Sequence, residues 1–254
     1  MSEAPKPAPP PQVGSQRNSS IMWTRIRKRP HPMISVAFTV PVFVLYHLGV
    51  LAVQEQSQVD FVSTVVLKLV ETSTPAYVMF TLALSLVLLL TTWWQQKKGK
   101  IAESPHKRVA WEALGGAVFA VAALGYANSA ILHGEASAIS AIRIFDKIVV
   151  SLGSGFHEEL VFRALLISGG IYVLNKLKVK LKPWMAIGLC MIVSSVLFSL
   201  VHYFAIYDEP FAWSTAVYRA LEGLFFATLY VTRGFAVAVY AHVFYNLITV
   251  FLPF

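Results

Sequence analysis

Residues 153–167 read GSGFHEELVFRALLI, and the fold turns on how His157, Glu158, Glu159 and Arg163 come to sit inside one apolar run. That run covers about residues 148–174, which exceeds the roughly 20 residues a helix needs to cross a bilayer. On a helix Glu159 and Arg163 are i and i+4, the spacing at which a carboxylate and a guanidinium meet on one face and neutralise each other. Glu158 lies about 100° round the same helix and cannot share that arginine equally. It is left as a carboxylate in need of water, a histidine or a metal.

The rest of the chain explains why such a helix is not in water. Of 254 residues, 56% are hydrophobic and 13% charged, and the mean hydropathy is +0.62. A soluble domain of this length carries about a quarter of its residues as charges, so the composition is that of an integral membrane protein. The formal net charge is +8, but the lysines and arginines fall in short clusters between apolar runs and not along one basic face, which excludes nucleic acid as a partner. A single cysteine, Cys190, lies inside an apolar segment, so neither a disulfide framework nor a cysteine metal site is available.

Apolar runs recur at about 33–53, 76–94, 109–132, 148–174, 184–207, 212–231 and 235–253. Each is near spanning length, and the expected fold is an all-α, polytopic transmembrane helical bundle of about seven to eight spans. The eighth depends on whether residues 59–71, which include the short stretch FVSTVVLKLV, lie along the interface or form a re-entrant piece. Residues 1–30 form a basic, proline-rich tail expected to be disordered, 31–135 hold the N-terminal spans, and 136–254 hold the residues with chemistry. Lys97, Lys98, Lys100, Lys107 and Arg108 in one connection and Lys176, Lys178, Lys180 and Lys182 in another mark the cytoplasmic side. The N-terminus is then cytoplasmic and the C-terminus external.

Ionisable side chains at mid-membrane depth cost several kcal/mol unless they pair or face a wet interior. The last four spans hold most of them. Glu158, without a matched cation, is the candidate general base. Two later helices each offer a histidine with a partner one turn away, Phe198 with His202 and His242 with Asn246. Asn246 is a neutral donor suited to a developing oxyanion.

EELVFR (158–163), FSLVH (198–202) and HVFYN (242–246) resemble the motifs EExxxR, FxxxH and HxxxN of the CAAX-protease and bacteriocin-processing (CPBP, or Abi) family. The resemblance covers residues 145–254, and three motifs in order on separate spans are specific where one is not. It implies a glutamate-type intramembrane endopeptidase, related to the CAAX prenyl protease, with Glu158 activating water and His202 assisting. His242 and Asn246 would hold the oxyanion, while Glu159, Arg163 and Phe198 support the structure. Ala164 stands where many relatives have glycine, and the three N-terminal spans match no family pattern.

Other polar residues have plainer readings. His157 points off the face of Glu158, and His47, His106 and His133 lie near span ends and read as interfacial. Arg219 and Glu222, i and i+3, read as a self-satisfying pair. Trp23, Trp93, Trp94, Trp111, Trp184 and Trp213 read as an interfacial belt, and GGAVFA (115–120) as a stretch permitting close helix packing. The pair His157–Glu158 begins like the zinc motif HExxH, but residue 161 is Val. Zinc held by Glu158, His202 and His242 from separate helices is the lesser alternative, and no cofactor is expected.

At about 1.5 Å per residue, Glu158 and His242 fall roughly 15 Å and 18 Å below the outer boundary, whereas His202 comes out on the order of 10 Å too shallow unless its span runs to about Tyr207 and tilts. The expected activity is hydrolysis of a peptide bond in a membrane-anchored protein or peptide, by processing of a C-terminal tail or a leader. The site of action is the bilayer, expected to be the bacterial cytoplasmic membrane, with no soluble cofactor. The rival from another class is a non-catalytic bacteriocin-immunity or scaffold protein that uses the same polar cavity.

Overall fold

The computed structural model describes residues 30–53, 73–99, 106–132, 144–204 and 210–251. The expected tail, the 59–71 stretch and His133 lie outside the described residues. Within them every regular element is helical and no strand occurs, so the all-α expectation holds. The helices are α1 (Pro32–Gly49), α2 (Thr74–Lys97), α3 (His106–Leu132), α4 (Ile144–Glu158), α5 (Gly169–Lys176), α6 (Pro183–Phe204), α7 (Trp213–Arg233) and α8 (Phe235–Phe251). Between α4 and α5 the helix does not stop but widens into a π-helical segment, Glu159–Ser168.

Three stretches among the described residues are long and apolar enough to cross a membrane: Pro32–Ala52, Thr74–Lys97 and Pro183–Tyr203. Two shorter apolar helices, Val109–Leu124 and Phe235–Thr249, accompany them. Helix α2 shows why the surroundings must be lipid: Leu86, Val87, Leu90 and Trp93 are each more than half exposed, an apolar surface that water would not tolerate at this extent. Trp93, Trp94, Trp111, Trp184 and Trp213 are all exposed and sit near helix ends, as an interfacial belt requires.

The centre of the bundle is α8. Seventeen residues long, or about 25 Å, it is apolar apart from a few residues such as His242 and Asn246, and Ala236, Val237, Ala238, Val239 and Ala241 are all 1% exposed or less. Its small side chains let α1, α3, α4 and α7 all pack on it. The α3 contribution comes from the GGAVFA stretch, where Ala117 and Ala120 are fully buried.

Two glycines set how the site-bearing helices meet. At Gly155 a Cβ would fall 2.4 Å from Val243 Cγ2 and 2.9 Å from the Val243 backbone nitrogen, so only glycine lets α4 lie this close to α8. At Gly234 φ is +98°, a left-handed conformation that closes α7 and starts α8 within one residue.

Candidate functional site

Helix α4 and its π-helical continuation carry the acidic side of the site. The i,i+4 pair expected from the sequence is present: Arg163 Nη1 lies 3.2 Å from Glu159 Oε1, and both side chains are fully buried. The guanidinium also donates to the Gly223 carbonyl on α7 at 3.2 Å and sits 4.6 Å above the Phe198 ring of α6. One arginine thus ties three elements together. A charge buried this deeply is offset by the Glu159 carboxylate, by the Gly223 carbonyl and by the Phe198 ring.

Glu159 does more than its spacing from Arg163 indicated. The same Oε1 accepts from Nδ1 of His242 at 2.8 Å. A carboxylate is an acceptor only, so Nδ1 carries the hydrogen and Nε2 of His242 is the atom turned toward Glu158, whose Oε2 is 3.7 Å away. The His242 ring is held flat against Phe226, with centroids 4.3 Å apart and planes 10° from parallel. Ring orientation and tautomer are both set by the surrounding structure.

His202 is fixed in the same manner. Its Nδ1 lies 2.8 Å from the Phe198 carbonyl one turn earlier, so Nδ1 donates and Nε2 is presented away from its own helix. Phe198 is 2% exposed and meets His202 edge-on at 5.1 Å and His242 at 6.4 Å, a spacer between the two imidazoles. Asn246 donates from Nδ2 to the Ser154 hydroxyl at 2.7 Å.

These side chains line one cavity of about 240 Å³, bounded by Val150, Ser154, Glu158, Phe198, His202, Glu222, His242 and Asn246. The register estimate that left His202 too shallow is not what the packing produces: His202 lines the same cavity as Glu158 although the described part of α6 ends at Phe204. A gap of 3.7 Å between Glu158 and His242 is too long for a direct hydrogen bond and suits a bridging water. Among the described residues, no group of three or more His, Cys, Asp and Glu side chains has the closeness a metal ion requires.

Two polar residues of the cavity wall escaped sequence reasoning. Glu222, read as the partner of Arg219, also lines the cavity that Glu158 lines. The other is Ser154, in the GSG stretch, which gave no signal.

One expectation is corrected. His47, read as interfacial, is 3% exposed and hydrogen-bonded through Nδ1 to the Tyr77 hydroxyl of α2. Its position near a span end was outweighed by the packing of α1 on α2 and α4. His157 is buried beside it, the two rings edge-on at 5.2 Å.

Residues 140–248 match the family model described as Type II CAAX prenyl endopeptidase Rce1-like. No curated protein and no solved structure matches the chain. The matched stretch takes in the whole of α4, the π-helical segment, α5, α6 and α7 and most of α8, hence every residue of the cavity wall. Over residues 140–248 the chain is similar to the Rce1-like type II CAAX prenyl endopeptidases, a protease family, and its long apolar helices are consistent with an integral membrane protein.

Proposed function

We propose that this protein is a glutamate-type intramembrane endopeptidase that cleaves a membrane-anchored protein or peptide near a C-terminal tail or a leader, using water activated by Glu158. The observation that carries this reading is the common cavity: two carboxyl groups, two imidazoles with their Nδ1 atoms already committed, and one carboxamide line a space of about 240 Å³ that can hold water.

A water between Glu158 and the histidines gives its proton to the Glu158 carboxylate as its oxygen attacks the scissile carbonyl carbon. His202 Nε2 accepts a hydrogen bond from the second O–H of the water, which keeps that hydrogen, and so aims the attacking lone pair. The carbonyl oxygen becomes an oxyanion that accepts from Asn246 Nδ2–H, and from His242 Nε2–H when that ring is protonated, with the Glu159 carboxylate compensating the imidazolium charge. Glu158 then hands its proton to the departing amine nitrogen, the C–N bond breaks, and both carboxylate and cavity are ready for another water. No covalent enzyme intermediate forms. Glu222 contributes a second carboxyl to the same wall. The chain is read as crossing the bacterial cytoplasmic membrane about seven times with its N-terminus inside, and residues 136–254 as the catalytic unit.

The test compares the termini of membrane proteins from cells that make the natural chain or Glu158→Gln. Termini that vanish with the carboxylate, while the variant keeps its level in the membrane, are the expected result. An unchanged set of termini would refute the hydrolytic reading in favour of a peptide-binding immunity or scaffold protein. A chelator added to the purified chain is expected to leave cleavage intact, and arrest by chelator would move Glu158, His202 and His242 into a metal site.

A further inference from the structure

A second cavity is larger than the polar one. It lies near the opposite end of the π-helical segment, a groove of about 390 Å³ between α5, α6 and the end of α7. Its walls include Ile167, Ile171, Leu174, Val179, Leu181 and Ile187, and at one edge the hydroxyls of Ser168 and Tyr230 meet at 2.6 Å. The volume is within the range of small-ligand sites.

The connection that borders this groove is built in an unusual way. Residues 176–182 read KLKVKLK, a strict alternation of lysine with an apolar residue. Lys178 has φ +54°, a left-handed conformation that glycine adopts far more readily. That turn lets the Val179 N–H donate back to the Leu174 carbonyl at 3.1 Å, closing α5. Residues 179–182 then leave the helix, with the Leu181 N–H donating back to the Val179 carbonyl at 2.9 Å. Val179 and Leu181 enter the groove wall, while Lys176, Lys178, Lys180 and Lys182 are all exposed beside it. No Asp or Glu occurs anywhere between Glu159 and Asp208, so the helical hairpin that holds the groove supplies four cations and no anion of its own.

We infer that this groove is a binding site for an anionic phospholipid, an acyl chain lying against Ile171, Leu174 and Ile187 and the headgroup phosphate held among the lysines of residues 176–182. A zwitterionic lipid would satisfy the groove equally but leave the lysines facing a headgroup of no net charge. An anionic one satisfies both, and basic pockets between helices on the cytoplasmic side select such headgroups. The inference is independent of the hydrolytic reading, because none of these residues lines the polar cavity.

The experiment uses the full chain in nanodiscs that contain equal amounts of palmitoyl-oleoyl phosphatidylglycerol and palmitoyl-oleoyl phosphatidylcholine, with the retained lipid read by native mass spectrometry. Phosphatidylglycerol is expected to be retained about tenfold over phosphatidylcholine. The preference is expected to fall to near parity in Lys178→Gln/Lys180→Gln, and in Ile171→Trp, which fills the groove while keeping every lysine and hence the orientation in the membrane. Equal retention of the two lipids by the natural chain overturns the site. So does a preference that survives Ile171→Trp but not the lysine changes, since that is attraction to a charged surface without a groove.

Discussion

His157 and Glu158 are neighbours in the chain and strangers in the fold. His157 turns into a packed aromatic cluster, edge-on to Tyr46 at 5.2 Å and to Phe156 at 5.1 Å, beside His47 and its Tyr77 partner. Glu158 turns into a cavity with two imidazoles and a carboxamide. Both regions contain two histidines and both are buried in the bundle. They differ in what the polar atoms face: ring edges and a hydroxyl in one, space large enough for water in the other. An ionisable group in a membrane protein is therefore not chemical by virtue of its depth. It becomes so where its partners leave an unfilled volume between them.

The comparison is broken most directly by substituting the two neighbours one at a time. Glu158→Gln removes the base and is expected to lower cleavage by about 10²–10⁴-fold with unchanged thermal stability. His157→Phe keeps the ring and is expected to leave turnover as it was, with any loss confined to stability. The same drop in turnover from both variants would mean that the two regions act as one site.

Arg163→Ala probes what the two regions share, a framework of buried polar groups. It removes the charge partner of the fully buried Glu159 and leaves that carboxylate only the His242 Nδ1–H, and the expected destabilisation is about 3–5 kcal/mol. Denaturation in mild detergent measures it, and a stability within error of the natural chain would show that the pair is exposed to water. Activity should fall in step with the folded fraction, because Glu159 also holds His242.

The smallest effect is expected at His47→Phe, which leaves the buried Tyr77 hydroxyl without its imidazole. A loss of about 1 kcal/mol follows from removal of one buried hydrogen bond. Turnover per folded molecule is expected to stay constant. If it fell instead, the aromatic cluster would be coupled to the cavity through the backbone that joins residues 157 and 158.

How much of this was legible beforehand depends on the kind of information each feature carries. The helix positions could be read from the apolar runs, since burial in lipid demands a nearly continuous apolar segment and the charges between mark where it ends. The Glu159–Arg163 pair could be read because i,i+4 is a local relation. The π-helical widening at Glu159–Ser168 could not, because a 3.6-residue period was assumed and the run is apolar on nearly every side. Nor could the burial of His47, since one histidine near a span end looks the same whether lipid headgroups or a tyrosine from another helix receive it. Nor could the place of Glu222 in the cavity wall, since a partner three residues away already gave it a sufficient local reading.

What the amino-acid sequence determined by itself is the class of solvent around the chain, the helices that solvent enforces, and which residues are too costly to bury without a reason. Those are properties of single segments and follow from transfer free energies alone. The tertiary structure decided which of the costly residues share a cavity, which nitrogen of each imidazole faces it, and that Glu159 serves an arginine and a histidine at once. Such relations depend on distances between helices, and a helix–helix distance is set by close packing at positions such as Gly155 against Val243, where a single added carbon would hold the two walls of the site apart.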